Sequence, residues 1–128
     1  MPSTCTDTDQ AGYANALRAA PGDVRLPGGV PISTCLERVR TDAELQNLGS
    51  VVHLVAEDLA AGARAGDVAA ARELGYLNAA VAVGAAGSNG ISAELARRVS
   101  VTGTGLADAP PAVARALAQG QAAGAARR

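Results

Sequence analysis

The fold is decided by residues 42–65, which read DAELQNLGSVVHLVAEDLAAGARA. Large apolar residues recur in this stretch at alternating intervals of three and four positions: Leu45, Leu48, Val52, Val55 and Leu59. This spacing places them on one face of an α-helix, and Val51 and Leu54 widen that face. Thr41 followed by Glu44 forms a capping box, the pattern that marks a helix start. The sequence therefore predicts a long amphipathic helix here.

A second helix follows after a short turn, in which Gly66 ends the first helix and Asp67 caps the next. The three-four spacing recurs at Leu74, Leu77 and Val81. Small residues would let the second helix cross the first closely: Gly75, Ala79, Ala80 and Gly84. Helices joined by so short a turn pack antiparallel. We predict an all-α fold, a small helical bundle centred on an antiparallel hairpin (about 42–65 and 67–86) with short flanking helices.

The composition favours one small helical domain. The chain has 128 residues, the usual size for a single core. It contains 31 alanines and no Phe or Trp, so its core must be thin and built of Leu, Val and Ala. Beyond residue 102 the sequence becomes rich in Gly, Ala, Pro and Arg. We predict a single helical domain over residues 1–102 and a tail over residues 103–128 that is partly helical or disordered.

Two cysteines, Cys5 and Cys35, bracket a segment rich in proline and glycine. A bond between them would close a loop of about 30 residues and stabilise the fold by about 3 to 4 kcal/mol in the chain-entropy model. The alternative is two reduced, unrelated thiols in a cytoplasmic protein. We predict the disulfide, and with it an extracytoplasmic location, because disulfides persist in oxidising compartments.

His53 and Glu57 are four positions apart on the predicted helix. A pair with this spacing offers two metal ligands or a tuned general base. The simpler interpretation is a partly exposed histidine beside a carboxylate, since a metal site needs further ligands and this is the one histidine in the chain. We predict no catalytic residue, no cofactor and no metal site, and retain His53 and Glu57 as weak functional candidates.

Charge and hydropathy exclude other classes of function. The formal net charge is −1, and all 11 basic residues are arginine, which leaves no dense basic patch for nucleic acid and no lysine for a P-loop. The uncharged residues 74–93 are numerous enough to cross a bilayer, but asparagines, serines and glycines interrupt them. We therefore predict no nucleic-acid partner and no membrane-spanning segment.

Two functional hypotheses follow. The first is a non-enzymatic, extracytoplasmic helical domain of a bacterial envelope protein that binds a protein or a small ligand, its export signal having been removed. The absence of lysine and the alanine content, both typical of a GC-rich genome, favour a bacterial source. The alternative is a cytoplasmic interaction or regulatory module that forms homodimers through the Leu45–Leu59 stripe, a narrow apolar face suited to helix pairing.

Overall fold

A computed structural model describes residues 1–126, and these residues form helices and loops without any β-strand. The helices are α1 (Thr4–Asp7), α2 (Gln10–Leu17), α3 (Ile32–Glu37), α4 (Asp42–Arg64), α5 (Val68–Ala86), α6 (Ala93–Thr102) and α7 (Pro111–Ala126). A short 3₁₀ helix, Leu106–Asp108, lies between α6 and α7. No helix in this part of the chain combines the length and apolar character needed to cross a membrane. The predicted all-α small bundle is confirmed.

Side-chain caps start the two longest helices where the sequence predicted them. The Thr41 hydroxyl accepts a hydrogen bond from the Glu44 N–H, and the Glu44 carboxylate accepts one from the Thr41 N–H. The Asp67 carboxylate accepts from the Ala70 N–H at 3.1 Å and caps α5. These bonds satisfy backbone donors that a helix start leaves without a partner.

The centre of the bundle is α5, which contacts α3, α4, α6 and α7. Its closest partner is α7, because glycines let the two backbones touch. A Cβ atom on Gly75 would lie 2.1 Å from the Leu117 carbonyl oxygen, and one on Gly120 would lie 1.9 Å from the Arg72 carbonyl oxygen. Gly75 thus serves the contact of α5 with α7, and Gly84 lies against Ser33 of α3, so these glycines do not form the predicted close crossing with α4.

The predicted tail contains a packed helix. Val113, Ala116 and Leu117 of α7 are buried in the same core as the rest of the chain, and Leu106 of the 3₁₀ helix joins them. The core therefore extends well past residue 102, where the sequence analysis ended the domain. The physical reason is that α7 needs few large side chains to dock, since Gly120 and Gly124 bring its backbone against α5. Residues 127–128 lie outside the described residues.

The apolar stripe of α4 belongs to this core. Leu48 and Val52 are fully buried and Val55 is 2% exposed, while Leu45 and Leu59 are partly buried against them. Leu48, Val52 and Val55 are therefore covered within the chain itself and are not available to pack against a second copy, as the alternative hypothesis requires. Leu54, which we placed on the same face, is instead 47% exposed.

Cys5 and Cys35 form the predicted disulfide, with their Cα atoms 5.6 Å apart. Both residues are fully buried, and the bond joins α1 to α3. The Tyr13 hydroxyl donates to the Cys5 carbonyl oxygen at 2.6 Å. Burial raises the pKa of Tyr13, so the phenol keeps the proton that this hydrogen bond requires. The N-terminal helices are thereby held to the bundle covalently and by a buried polar contact.

Candidate functional site

A groove runs between α4 and α6 and consists of two adjoining depressions that share His53 and Arg98. The first has a volume of about 550 Å³ and is lined by Leu45, Gly49, Ser50, Leu54, Glu94 and Leu95, among others. The second has a volume of about 400 Å³ and is lined by Glu57, Ala60, Arg64, Val101 and Thr102. We call the two together the α4–α6 groove. It contains both functional candidates that the sequence singled out.

The helical spacing of His53 and Glu57 brings their side chains together. The His53 Nε2 lies 2.6 Å from the Glu57 Oε1, and the two side chains are 37% and 56% exposed. The other ring nitrogen, Nδ1, is buried and has no hydrogen-bond partner among residues 1–126. In this arrangement the carboxylate engages one ring nitrogen and the protein covers the other. Neither nitrogen is therefore available to bind a ligand in the groove.

Arginines supply the positive charge around the groove, and they differ in how they are held. Glu94 binds the Arg97 guanidinium through both carboxylate oxygens, at 3.0 and 2.7 Å, and meets Arg98 only at 3.5 Å. The hydrogen bond from Arg97, followed by the charges of Arg97 and Arg98, lowers the pKa of Glu94. Since a guanidinium has five N–H donors, this single long contact leaves Arg98 with donors for a ligand.

Arg64, at the end of the groove, donates to backbone carbonyl oxygens, whereas Arg97 and Arg98 contact a carboxylate. Its Nη2 donates to the Thr102 carbonyl oxygen at 2.6 Å and also reaches the Thr104 carbonyl oxygen. These acceptors belong to the last residue of α6 and to the loop beyond it. Arg64 therefore ties the last turn of α4 to the end of α6 and fixes the width of the groove there.

Apolar side chains flank the polar centre. Leu54 is 47% exposed on the α4 side, and Val101 is 52% exposed on the α6 side. The groove thus offers apolar surface and an arginine with free donors side by side, a combination suited to a ligand with an apolar body and a hydrogen-bond acceptor. The sequence pattern did not identify Leu54, Arg98 or Val101 as residues of a functional site. The spacing of Glu94 to Arg97 and Arg98, three and four positions, was the available signal for a polar face on α6.

A second cleft, of about 500 Å³, lies between α2, α4 and α5 and carries charges of both signs, from Arg18, Asp58, Asp67, Arg72 and Glu73. Two of its three carboxylates are engaged, because Gln10 donates to Asp58 and Asp67 caps α5. Burial, and to a lesser extent the charge of Asp67, raises the pKa of Glu73. Within residues 1–126 no three His, Cys, Asp or Glu side chains are placed to hold a metal ion. The second cleft therefore has mixed charge and does not bring together a set of metal ligands in this part of the chain.

Comparison with known proteins gives no family for the chain: no protein-family model matches it, and no curated protein and no solved structure is significantly similar to it.

Proposed function

We propose that this protein is a non-enzymatic, extracytoplasmic helical domain of a bacterial envelope protein, and that it binds a protein or a small ligand in the α4–α6 groove. The observation that carries the proposal is the composition of the groove, where the half-exposed Leu54 and Val101 flank the incompletely paired Arg98. A recognition surface combines apolar area with a few placed polar groups in this way.

The state of His53 supports binding over catalysis. A general base must reach the proton it removes at hydrogen-bond distance. The Nε2 of His53 is held by Glu57 at 2.6 Å and the Nδ1 is buried, so the imidazole shapes the groove instead of facing its contents. The pair belongs to α4 alone, and we assign it a role in forming the binding surface.

The disulfide supports the extracytoplasmic location. Cys5 and Cys35 are both fully buried, so in the folded protein the bond is shielded from reductants. The cytoplasmic alternative requires these residues as thiols, and its dimer requires an exposed stripe on α4. The burial of Leu48, Val52 and Val55 removes the support for that dimer.

Photo-crosslinking in the native cell tests the groove directly. A photoreactive amino acid is placed at Leu54 or at Val101, and at Ala118 as a control, because Ala118 is also exposed and helical but lies on α7. We expect a discrete crosslinked product from Leu54 and Val101 and none from Ala118. Arg98→Glu should abolish the product, whereas Arg97→Glu, the same charge change one position away, should preserve it. A product that forms equally at Ala118, or that survives Arg98→Glu, would refute the groove as the binding site.

A further inference from the structure

The turn between α5 and α6 has an exposed tip at Asn89 and Gly90. Both residues have positive φ angles, +57° for Asn89 and +91° for Gly90. Asparagine and glycine are the residues that tolerate this left-handed conformation best. In the part of the chain that the structure describes, the Gly90 N–H donates to no acceptor. An exposed asparagine side chain is thus followed by an exposed, unbonded backbone nitrogen.

The base of the same turn is fixed by buried hydroxyl groups. Ser88 Oγ donates to the Ala85 carbonyl oxygen at 2.7 Å and accepts from the Ser92 N–H at 3.0 Å. Ser92 Oγ donates to the Leu36 carbonyl oxygen at 2.8 Å. Because these bonds anchor both ends of the turn to the core, the tip can react without unfolding of the rest of the protein.

We propose that Asn89 is a site of intramolecular deamidation in the folded protein. The Gly90 nitrogen attacks the Asn89 Cγ; the N–Cγ bond forms, the Cγ–Nδ2 bond breaks, and the Gly90 amide proton leaves with the amide group as ammonia. The product is a five-membered succinimide. Water then opens one of its two carbonyl groups and yields aspartate or isoaspartate, so water is the one co-reactant that the sequence of steps consumes.

The fold makes this reaction selective for Asn89. The other asparagines are Asn15 in α2, Asn47 in α4 and Asn78 in α5. The residue after each of them carries a Cβ atom and lies within the helix, where the backbone N–H donates along the helix axis. The nitrogen after Asn89 has neither restraint, because glycine has no side chain and the turn leaves its N–H free.

The reaction would change the entrance to α6. It places a carboxylate four residues before Ala93, where α6 begins, and a negative charge near a helix N-terminus is favourable. The isoaspartate product also inserts one extra atom into the backbone of the turn. Because α6 forms one wall of the α4–α6 groove, a modified turn before α6 would change how that helix is positioned.

Peptide mapping by mass spectrometry after incubation of the full-length, disulfide-intact protein in mildly alkaline buffer tests the proposal. We expect the mass gain of amide-to-acid conversion in the peptide that contains Asn89, with two chromatographic products for aspartate and isoaspartate. Asn15 and Asn47, which are exposed as well, serve as internal controls and should remain unchanged. Circular dichroism during the incubation verifies that the protein stays folded.

Asn89→Gln is the matched variant, since it keeps the amide and Gly90 but would require a larger, six-membered ring. It should eliminate the mass gain in the turn over the same period. An unmodified Asn89 in the folded protein, combined with conversion in the reduced and denatured chain, would show that the fold protects the site and would overturn the proposal. Equal conversion at Asn15 or Asn47 in the folded protein would overturn it as well.

Discussion

The contact of α5 with α7 and the contact of α4 with α6 differ in what lies between the two helices. At α5–α7 a Cβ atom on Gly120 would meet a backbone carbonyl at 1.9 Å, so no side chain separates the helices. At α4–α6 a Cβ atom on Gly49 would meet a side-chain atom, the Leu95 Cδ1, at 3.5 Å, an ordinary contact distance. Backbone contact leaves no space for a ligand, whereas side chains between helices create a groove. The first contact therefore holds the bundle together, and the second leaves the groove that we propose as a binding site.

Gly120→Ala should break the first contact and have the largest effect. The new methyl group would collide with the Arg72 carbonyl oxygen, which belongs to the backbone of α5 and cannot move aside alone. We expect the free energy of unfolding to fall by about 2 to 3 kcal/mol, despite the better helix propensity of alanine. Urea unfolding followed by circular dichroism measures the change. Unaltered stability would mean that α7 does not approach α5 so closely.

Ser92→Ala should have the next largest effect, because it tests how α6 is attached. Ser92 is fully buried, and its hydroxyl donates to the Leu36 carbonyl oxygen. Removing this donor leaves a buried acceptor unsatisfied, which costs about 1 to 2 kcal/mol. Ser100→Ala in the same helix is the control, since the Ser100 hydroxyl bonds to a carbonyl at the exposed surface. Equal losses from the two variants would show that the buried bond is unimportant.

Gly49→Ala should stabilise the protein, in contrast to Gly120→Ala. The added methyl group fits at ordinary contact distance from Leu95, and alanine is favoured over glycine inside a helix. We expect a gain of about 0.5 to 1 kcal/mol in the free energy of unfolding. A loss in the urea experiment would indicate that α4 and α6 pack as closely as α5 and α7, and the distinction between the two contacts would fail.

His53→Ala should have the smallest effect on stability. The contact of His53 with Glu57 is partly exposed, and side-chain pairs four residues apart on one helix contribute at most about 0.5 kcal/mol. Thermal unfolding of the variant and of the parent protein measures this contribution. A loss greater than about 1 kcal/mol would place the imidazole in the core and remove it from the proposed binding surface.

The local features of the fold could be predicted from the sequence. Thr41 with Glu44 and Asp67 mark helix starts by hydrogen-bond chemistry that acts within four residues, and the structure confirms both. The Cys5–Cys35 bond was also predicted, because the chain holds no other cysteine to pair with either.

Contacts between distant segments were harder to predict. Gly120 and Gly124 look like helix breakers or linker residues in the sequence, and only the position of Gly75 on α5 reveals them as a docking surface. Ser92 directly precedes α6, but its hydroxyl does not cap that helix and instead donates to the carbonyl oxygen of Leu36, which is 56 residues away. Leu54 was predicted to widen the apolar face of α4 but is 47% exposed, because helical periodicity cannot distinguish the edge of an apolar face from its centre.

The thiol state of the protein in its native compartment tests the central claim, a disulfide-stabilised binding domain outside the cytoplasm, most directly. The protein is recovered under acidic conditions, denatured so that the buried Cys5 and Cys35 become accessible, and treated with an alkylating reagent without reductant. Intact mass spectrometry should then find no alkyl group and a mass two hydrogens below that of the reduced chain. Alkylation of both cysteines would contradict the account and favour a cytoplasmic module.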